Sequence, residues 1–122
     1  MTQERRTSVD RYFADLLARP DPALDGAPRA NAAAGLPPQD VAPNRGGLLQ
    51  LLARAVGARS ILEVGTLGGY STIWLARAVH EGGRLVTLEV DPEHAEVARG
   101  NLAGAGLAER TEPGRTQSAA NG

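Results

Sequence analysis

The chain has 122 residues, a formal net charge of −1 and no cysteine. This length allows one small domain, and the lack of cysteine excludes disulfides and thiolate metal sites. All 13 cationic residues are arginines scattered along the chain, whereas nucleic-acid binding needs a basic patch, so we predict no nucleic-acid partner. Neither a membrane-spanning run nor a signal peptide is recognisable, and we expect a cytoplasmic protein without membrane contact.

The first part of the chain is predicted to be helical, with one long loop. From Ser8 to Ala18 the apolar residues share one helical face, which predicts packing through that face. They are Val9, Tyr12, Phe13, Leu16 and Leu17. A second helix starting at Asp21 is interrupted by Gly26 and Pro28, and residues 30–34 form a further helical stretch. Residues 35–47 are predicted to be a loop.

The next helix, Leu48 to Val56, is apolar over more than half its circumference. We therefore expect it to be buried, with Gly57 as the residue that ends it. It leads into the apolar run from Ile61 to Val64, which is typical of a buried parallel strand. Strands of this kind are covered on both faces, so Ile61, Leu62 and Val64 should all be buried.

Glycines follow this strand directly. Gly65, Gly68 and Gly69 allow a sharp turn, here named the glycine turn (Gly65–Gly69), and close approach of a ligand to the backbone. Ser71 is predicted to cap the helix that follows. Strand, glycine turn and helix together are typical of nucleotide sites in α/β proteins.

The glycine spacing bears on which nucleotide could bind. Leu67 occupies the position of the second glycine in the dinucleotide fingerprint, which makes an NAD-type site a weak alternative. The order is instead Glu63-x-Gly65-x-x-x-Gly69, with a carboxylate in the strand. A carboxylate beside the turn suits a cationic sulfonium ligand better than a phosphate. An ordinary strand–turn–helix with an incidental Glu63 remains the alternative.

A second strand, Arg84 to Val90, carries Glu89 near its end. In nucleotide-binding units an acidic residue about 20 positions beyond the glycine turn accepts hydrogen bonds from ribose hydroxyls, and Glu89 has this position. Asp91 followed by Pro92 is typical of a helix start. We therefore interpret Asp91 as a cap and Glu89 as the ligand-binding residue, with a helix from Pro92 to about Ala103.

These stretches resemble the small S-adenosylmethionine-dependent O-methyltransferases of the catechol and caffeoyl-CoA type. The resemblance extends from about residue 9 to residue 110 and is carried by residues 61–71 and 85–91, together with the upstream Leu36-Pro37-Pro38 and Val41-x-Pro43-x-x-Gly46. It implies an α/β fold: the N-terminal portion of a Rossmann-like methyltransferase fold, with helices followed by a βαβ unit and an incomplete sheet. It also implies methyl transfer to a hydroxyl of a small, catechol-like acceptor, and a possible homodimer.

The resemblance also assigns residues to the cofactor, S-adenosyl-L-methionine. Val41 would cover its methionine end, Glu63 would lie near its amino group and Glu89 would hold its ribose. The remaining cofactor-binding residues belong to the glycine turn and the start of the helix: Gly65, Leu67, Gly69 and Ser71.

The end of the chain departs from this family. Residues 111–122 contain no large apolar residue and read as a disordered tail, which suggests truncation where a third strand is due. We predict an N-terminal part over residues 1–46, a partial cofactor-binding domain over 47–110 and the tail. The resemblance implies a divalent metal (Mg or Mn), but we find no metal ligands and no catalytic residue, and we interpret His80 and His94 as surface residues. The chain is therefore expected to be catalytically incomplete, or alternatively a non-catalytic cofactor-binding or dimerisation module.

Overall fold

The first half of the chain is helical, and helices alternate with strands in the second half. The computed structural model describes residues 1–114. The elements in chain order are α1 (Gln3–Leu17), α2 (Pro22–Ala33), α3 (Pro43–Ala55), β1 (Ser60–Val64), α4 (Tyr70–Ala78), β2 (Arg84–Leu88), α5 (Pro92–Gly104), a 3₁₀ turn (Ala108–Arg110) and β3 (Thr111–Gly114). The strands form a parallel sheet in the order β1-β2-β3. The predicted α/β fold with an incomplete sheet is confirmed.

Only one face of this sheet is covered. Ile61, Leu85 and Thr111 lie side by side in the register of the three strands, and Leu85 at the centre is 0% exposed. The core on this face is completed by Ile73 of α4 and Leu102 of α5, which are also fully buried. A single covering layer of helices therefore provides the core.

The opposite face of the sheet is open. Leu62 and Val64 of β1 are 66% and 74% exposed, and their register partners on β2 are Val86 and Leu88. The prediction that Leu62 and Val64 are covered is wrong, because α4 and α5 both lie on the face of Ile61. Ile61 itself is partly buried against the core.

The packing predicted for α1 is also wrong. The helix exists, beginning at Gln3 with the hydroxyl of Thr2 as its cap, but none of its residues is buried. Tyr12, Leu16 and Leu17 are 62%, 64% and 73% exposed. The apolar face of α1 is therefore largely a surface of the molecule.

Helix α3 differs from its prediction in both length and burial. It begins at Pro43 rather than Leu48, and only Gly46 and Ala53 are buried, whereas Leu48, Leu51, Leu52 and Val56 are exposed. The reason is a close approach to α4: a Cβ atom at Gly46 would overlap the indole of Trp74. Packing through a glycine leaves the leucines on the outer side. The ending is as predicted, with Gly57 in the left-handed region at φ 61°.

Helix α2 is continuous through Gly26 and Pro28, so the predicted interruption is wrong. Its start is fixed by Asp21, whose Oδ1 accepts hydrogen bonds from the backbone N–H groups of Ala23 and Leu24 at 3.0 and 3.2 Å. The same carboxylate accepts two bonds from the Arg77 guanidinium of α4, at 2.6 and 3.2 Å. This clamp and the burial of residues along one face of α2 offset the cost of an interior proline.

A third strand forms where the tail was predicted to begin. Thr111–Gly114 pairs in parallel with β2, with Thr111 opposite Leu85, so the expected disorder is wrong for these four residues. Backbone pairing extends the sheet here without large apolar side chains. Residues 115–122 of the predicted tail lie outside the described residues.

The predicted boundary between the N-terminal part and the cofactor-binding domain, at residue 46, falls within α3. The three-part division of the chain stays a prediction.

The Asp21–Arg77 clamp gives a pH-dependent contribution to stability. The hydrogen bond from Arg77 holds the pKa of Asp21 below its ordinary value of 3.8. Ionised Asp21 therefore stabilises the folded chain above that pH, and the contribution is lost as the pH falls through the lowered pKa. Asp21→Asn keeps a capping oxygen and removes the charge, so we expect the free energy of unfolding at pH 7 to fall by about 1 kcal/mol.

Urea unfolding followed by circular dichroism, at pH 7 and at about pH 2–3, measures this effect. The difference between Asp21→Asn and the parent chain should shrink at the lower pH. Asp25→Asn, an exposed carboxylate in the first turn of the same helix, is the matched control. The same pH dependence in both variants would contradict the clamp.

Candidate functional site

The glycine turn connects the carboxyl end of β1 to the start of α4. Its backbone enters the left-handed region three times, at Gly65 (φ 89°), Leu67 (φ 51°) and Gly69 (φ 84°). Gly69 itself is the N-cap of α4 and offers no side-chain bond. The prediction that Ser71 caps this helix is wrong, because Ser71 lies one residue inside α4 and its hydroxyl bonds elsewhere.

Ser71 binds the carboxylate of Glu63, which serves as an acceptor for several hydroxyl groups. Glu63 Oε2 accepts from the Ser71 hydroxyl at 2.7 Å, and Oε1 accepts from Thr87 at 2.8 Å and from Thr72. The hydroxyls of Thr66 and Thr87 lie 2.5 Å apart. Glu63 thus links β1, β2 and α4 beneath the glycine turn. Its predicted place near the cofactor's amino group stays a prediction.

Glu89 binds the glycine turn from the neighbouring strand. Its Oε2 accepts the backbone N–H of Leu67 at 2.8 Å. Its Oε1 accepts the N–H groups of Val90 and Asp91 at 2.9 and 3.1 Å. A non-glycine residue in the left-handed region costs about 1–2 kcal/mol, and this charge-assisted bond offsets that cost at Leu67. The glycine turn and Glu89, which the sequence analysis both identified, are therefore joined by the bond to Leu67.

Asn31 of α2 lies against the middle of the glycine turn. A Cβ atom at Gly68 would overlap the side-chain amide of Asn31, and Gly68 accepts a hydrogen bond through its carbonyl oxygen from Asn101 Nδ2 of α5 at 2.8 Å. Neither asparagine was recognised in the sequence. The only available signal was one amide in the alanine-rich run from Ala30 to Ala34.

The turn leaves space for a ligand on its outer side. Gly65 is exposed, and no atom lies within 4 Å of the position that a Cβ would take. At Gly69, by contrast, such an atom would lie 3.4 Å from Ala98 of α5. Val41 is partly buried and packs against the core from the preceding loop. Gly65 is thus the position where a bound molecule could approach the backbone.

The charges around this space favour a cation over a phosphate. Glu63 and Glu89 both place carboxylates at the turn, and each accepts hydrogen bonds from the protein. A site for phosphate would not place carboxylates beside the exposed backbone, because phosphate is itself an anion and would be repelled by them. The site therefore suits a ligand that carries positive charge and hydroxyl groups.

Tyr70 is a packing residue. It is 4% exposed and belongs to the core. Burial raises the pKa of the Tyr70 hydroxyl, and the carboxylates of Asp40, Asp25 and Asp21 raise it further. A hydroxyl with a raised pKa stays protonated at neutral pH and does not serve as a base.

The two histidines do not form a metal site. His80 is exposed, and His94 places Nε2 at 3.5 Å from the carboxylate of Asp91, which caps α5 as predicted through the N–H groups of Glu93 and His94. Within residues 1–114 no three His, Asp or Glu side chains lie close enough together to hold a metal ion. The described residues thus do not fit a divalent metal. No helix in that part of the chain is both long and apolar enough to cross a membrane.

Comparison with known proteins places this arrangement in context. A model of the O-methyltransferase family matches residues 19–120. A catechol O-methyltransferase of Niastella koreensis is 53% identical over 105 residues, which are 86% of this chain and 48% of that protein. The chain spans about half the length of the curated relatives it matches.

Solved structures of O-methyltransferases are similar to this chain as well, again over about half of their length. The O-methyltransferase from Bacillus cereus in complex with SAH matches with a TM-score of 0.88 and 50% identity, covering 91% of this chain and 50% of that one. The O-methyltransferase TomG from Streptomyces achromogenes in complex with SAM matches with a TM-score of 0.89 and 49% identity, covering 97% and 53%.

The contact between Gly68 and Asn31 predicts a large effect of a single methyl group. Gly68→Ala should lower the free energy of unfolding by about 1–3 kcal/mol, because the added methyl overlaps a buried amide. Gly100→Ala is the control: it lies within α5 with no atom near the added methyl, and should stabilise by about 0.5–1 kcal/mol. Thermal unfolding compares the two, and equal stability of both variants would contradict the packing described.

Proposed function

We propose, because this chain belongs to the O-methyltransferase family, that its glycine turn binds S-adenosylmethionine as the methyl donor. The observation that carries the proposal is the bond between Glu89 and the backbone of Leu67. It brings an acidic residue to the turn at the position where a ribose would be held. The SAH and SAM in the solved relatives support the same ligand.

Each predicted residue has a part in this proposal. Glu89 accepts hydrogen bonds from the ribose hydroxyls, and Gly65 allows the donor to approach the backbone. Val41 covers the methionine end of the donor, and Glu63 lies towards its amino group. The other contacts come from the turn and the start of α4: Leu67, Gly69 and Ser71.

The proposed reaction is methyl transfer to a hydroxyl of a small acceptor, catechol-like as in the name of the Niastella koreensis relative. A bond forms between the acceptor oxygen and the methyl carbon while the carbon–sulfur bond breaks. S-adenosylhomocysteine leaves, and the hydroxyl proton is released. Residues 1–114 offer no set of metal ligands, and we assign them donor binding rather than activation of the acceptor.

The cytoplasmic location of the protein also stays a prediction.

We further propose that the exposed apolar surface of α1 and α3 pairs two copies of the chain. Leu17 and Leu51 line a cavity of about 440 Å³ between these helices, and both are more than 60% exposed. An apolar surface of this kind is typical of a contact site. Sedimentation over a concentration series tests the pairing, and a monomer at every concentration would contradict it.

Binding of S-adenosylhomocysteine tests the donor site. Glu89→Gln removes the charge that would accept the ribose hydroxyls, and a charge-assisted bond contributes about 1.5–3 kcal/mol. We therefore expect its Kd, measured by calorimetry, to rise by about 10- to 100-fold. Glu93→Gln, an exposed carboxylate in the first turn of α5, should leave the Kd unchanged. Equal binding by the parent chain and Glu89→Gln would show that Glu89 does not hold the ribose, and tighter binding of NAD would show that the ligand is misassigned.

Methyl transfer tests the limit of the proposal. The assay contains labelled S-adenosylmethionine, a catechol and added magnesium or manganese, and we expect no turnover by this chain. Transfer requires the acceptor oxygen about 3–3.5 Å from the methyl carbon and in line with it, and residues 1–114 offer no set of metal ligands to hold and activate that oxygen. Turnover that Glu63→Ala abolishes would show that this chain contains the whole active site, although it spans only about half the length of its relatives.

A further inference from the structure

Three polar side chains from separate parts of the chain form a hydrogen-bonded group beside the glycine turn, here named the amide cluster (Asn31, Asp40 and Asn101). Asn31 Nδ2 donates to both carboxylate oxygens of Asp40, each at 3.2 Å. Asn31 Oδ1 accepts from Asn101 Nδ2 at 3.1 Å. Asn31 is 2% exposed, so all of its polar atoms are used inside the protein.

The amide cluster contacts both parts of the proposed donor site. Asn101 Nδ2 also donates to the carbonyl of Gly68, and the amide of Asn31 fills the space that a side chain at Gly68 would need. Asp40 directly precedes Val41. The cluster therefore connects the glycine turn to the loop that carries Val41.

We propose that the amide cluster positions the glycine turn and Val41 for the methyl donor. The inference rests on the proposed function. Asn31, Asp40 and Asn101 are positioning residues that act through the backbone of Gly68 and through Val41.

The geometry of the turn explains why such positioning is needed. Gly68 lies between Leu67 and Gly69, which are both in the left-handed region. Within the turn, the N–H of Gly69 donates to the carbonyl of Thr66 at 2.9 Å, and the remaining support comes from side chains outside it. Glu89 holds the N–H of Leu67 on one side, and Asn101 holds the carbonyl of Gly68 on the other. Loss of either bond removes one of the two side-chain supports that flank the Leu67–Gly68 peptide group.

The polarity of the Asn31–Asp40 pair allows a specific test. Asn31→Asp keeps an oxygen to accept from Asn101 but loses the donor to Asp40, and it places two carboxylates against each other. The double variant Asn31→Asp, Asp40→Asn restores one donor and one acceptor with their positions exchanged. Its net charge equals that of the parent chain.

The measurement is calorimetric binding of S-adenosylhomocysteine to the full chain, with the stoichiometry reporting the folded fraction. We expect Asn31→Asp to raise the Kd at least tenfold and the double variant to return it to within about threefold of the parent. A merely structural cluster would lower the stoichiometry and leave the Kd of the folded molecules unchanged. Unchanged Kd in Asn31→Asp would therefore overturn the proposal.

Two further variants complete the experiment. Asn101→Ala removes the donor to Gly68 on a residue within α5, where alanine favours the helix. It should raise the Kd severalfold, and it decides the question if Asn31→Asp does not fold, because an unchanged Kd here also overturns the proposal. Asn44→Asp is the matched control, since Asn44 Nδ2 donates to Asp10 at 3.2 Å in a pair that includes no residue of the glycine turn or the amide cluster. Its Kd should equal that of the parent chain.

The parent chain separates the two proposals. If it does not bind S-adenosylhomocysteine, the proposed function fails. If it binds and the amide-cluster variants bind equally well, only the positioning role fails.

Discussion

The hydrogen bond from the Leu67 backbone to the Glu89 carboxylate determines the shape of the candidate site. A leucine in the left-handed region is strained, and the bond supplies a charged acceptor at 2.8 Å that holds it there. Because Glu89 directly follows β2, the turn after β1 is fixed from the neighbouring strand. Glu63 lies beneath the turn, where its carboxylate accepts hydrogen bonds from hydroxyls of β2 and α4 and so joins these two elements. The site thus depends on two carboxylates, of which one shapes the turn and the other secures its base.

The centre of the fold was predictable because its signals are local. An apolar run, a glycine turn and a second apolar run define β1, α4 and β2 within thirty residues, and Asp91-Pro92 marks the start of α5 as it was predicted. The closeness of Glu89 to the glycine turn also follows from the sequence, since adjacent parallel strands bring their carboxyl ends together. The family resemblance added the identity of the ligand, which residue spacing alone leaves open.

The remaining features depend on contacts between distant segments. Periodicity identifies the apolar faces of α1 and α3, but not what those faces contact, and both proved to be exposed. Strand β3 has no apolar periodicity at all and exists through backbone pairing with β2. Asn31 gave only a weak signal because its partners, Asp40 and Asn101, lie nine and 70 residues away. A sequence motif reports residues at fixed spacing, whereas such groups come together only in the folded chain.

Those long separations also bear on the order in which the chain folds. Pairing of β1 with β2 joins residues 24 positions apart, as Leu62 with Val86, whereas the contact of Asn31 with Asn101 closes a loop of 70 residues. Loop closure costs about 4 kcal/mol of chain entropy for 70 residues and about 3 kcal/mol for 24, so we expect docking of α2 to follow assembly of the sheet. When α2 separates in a partial opening, the glycine turn loses its contact with Asn31. A molecule that binds only the closed turn would draw this late step to completion by mass action.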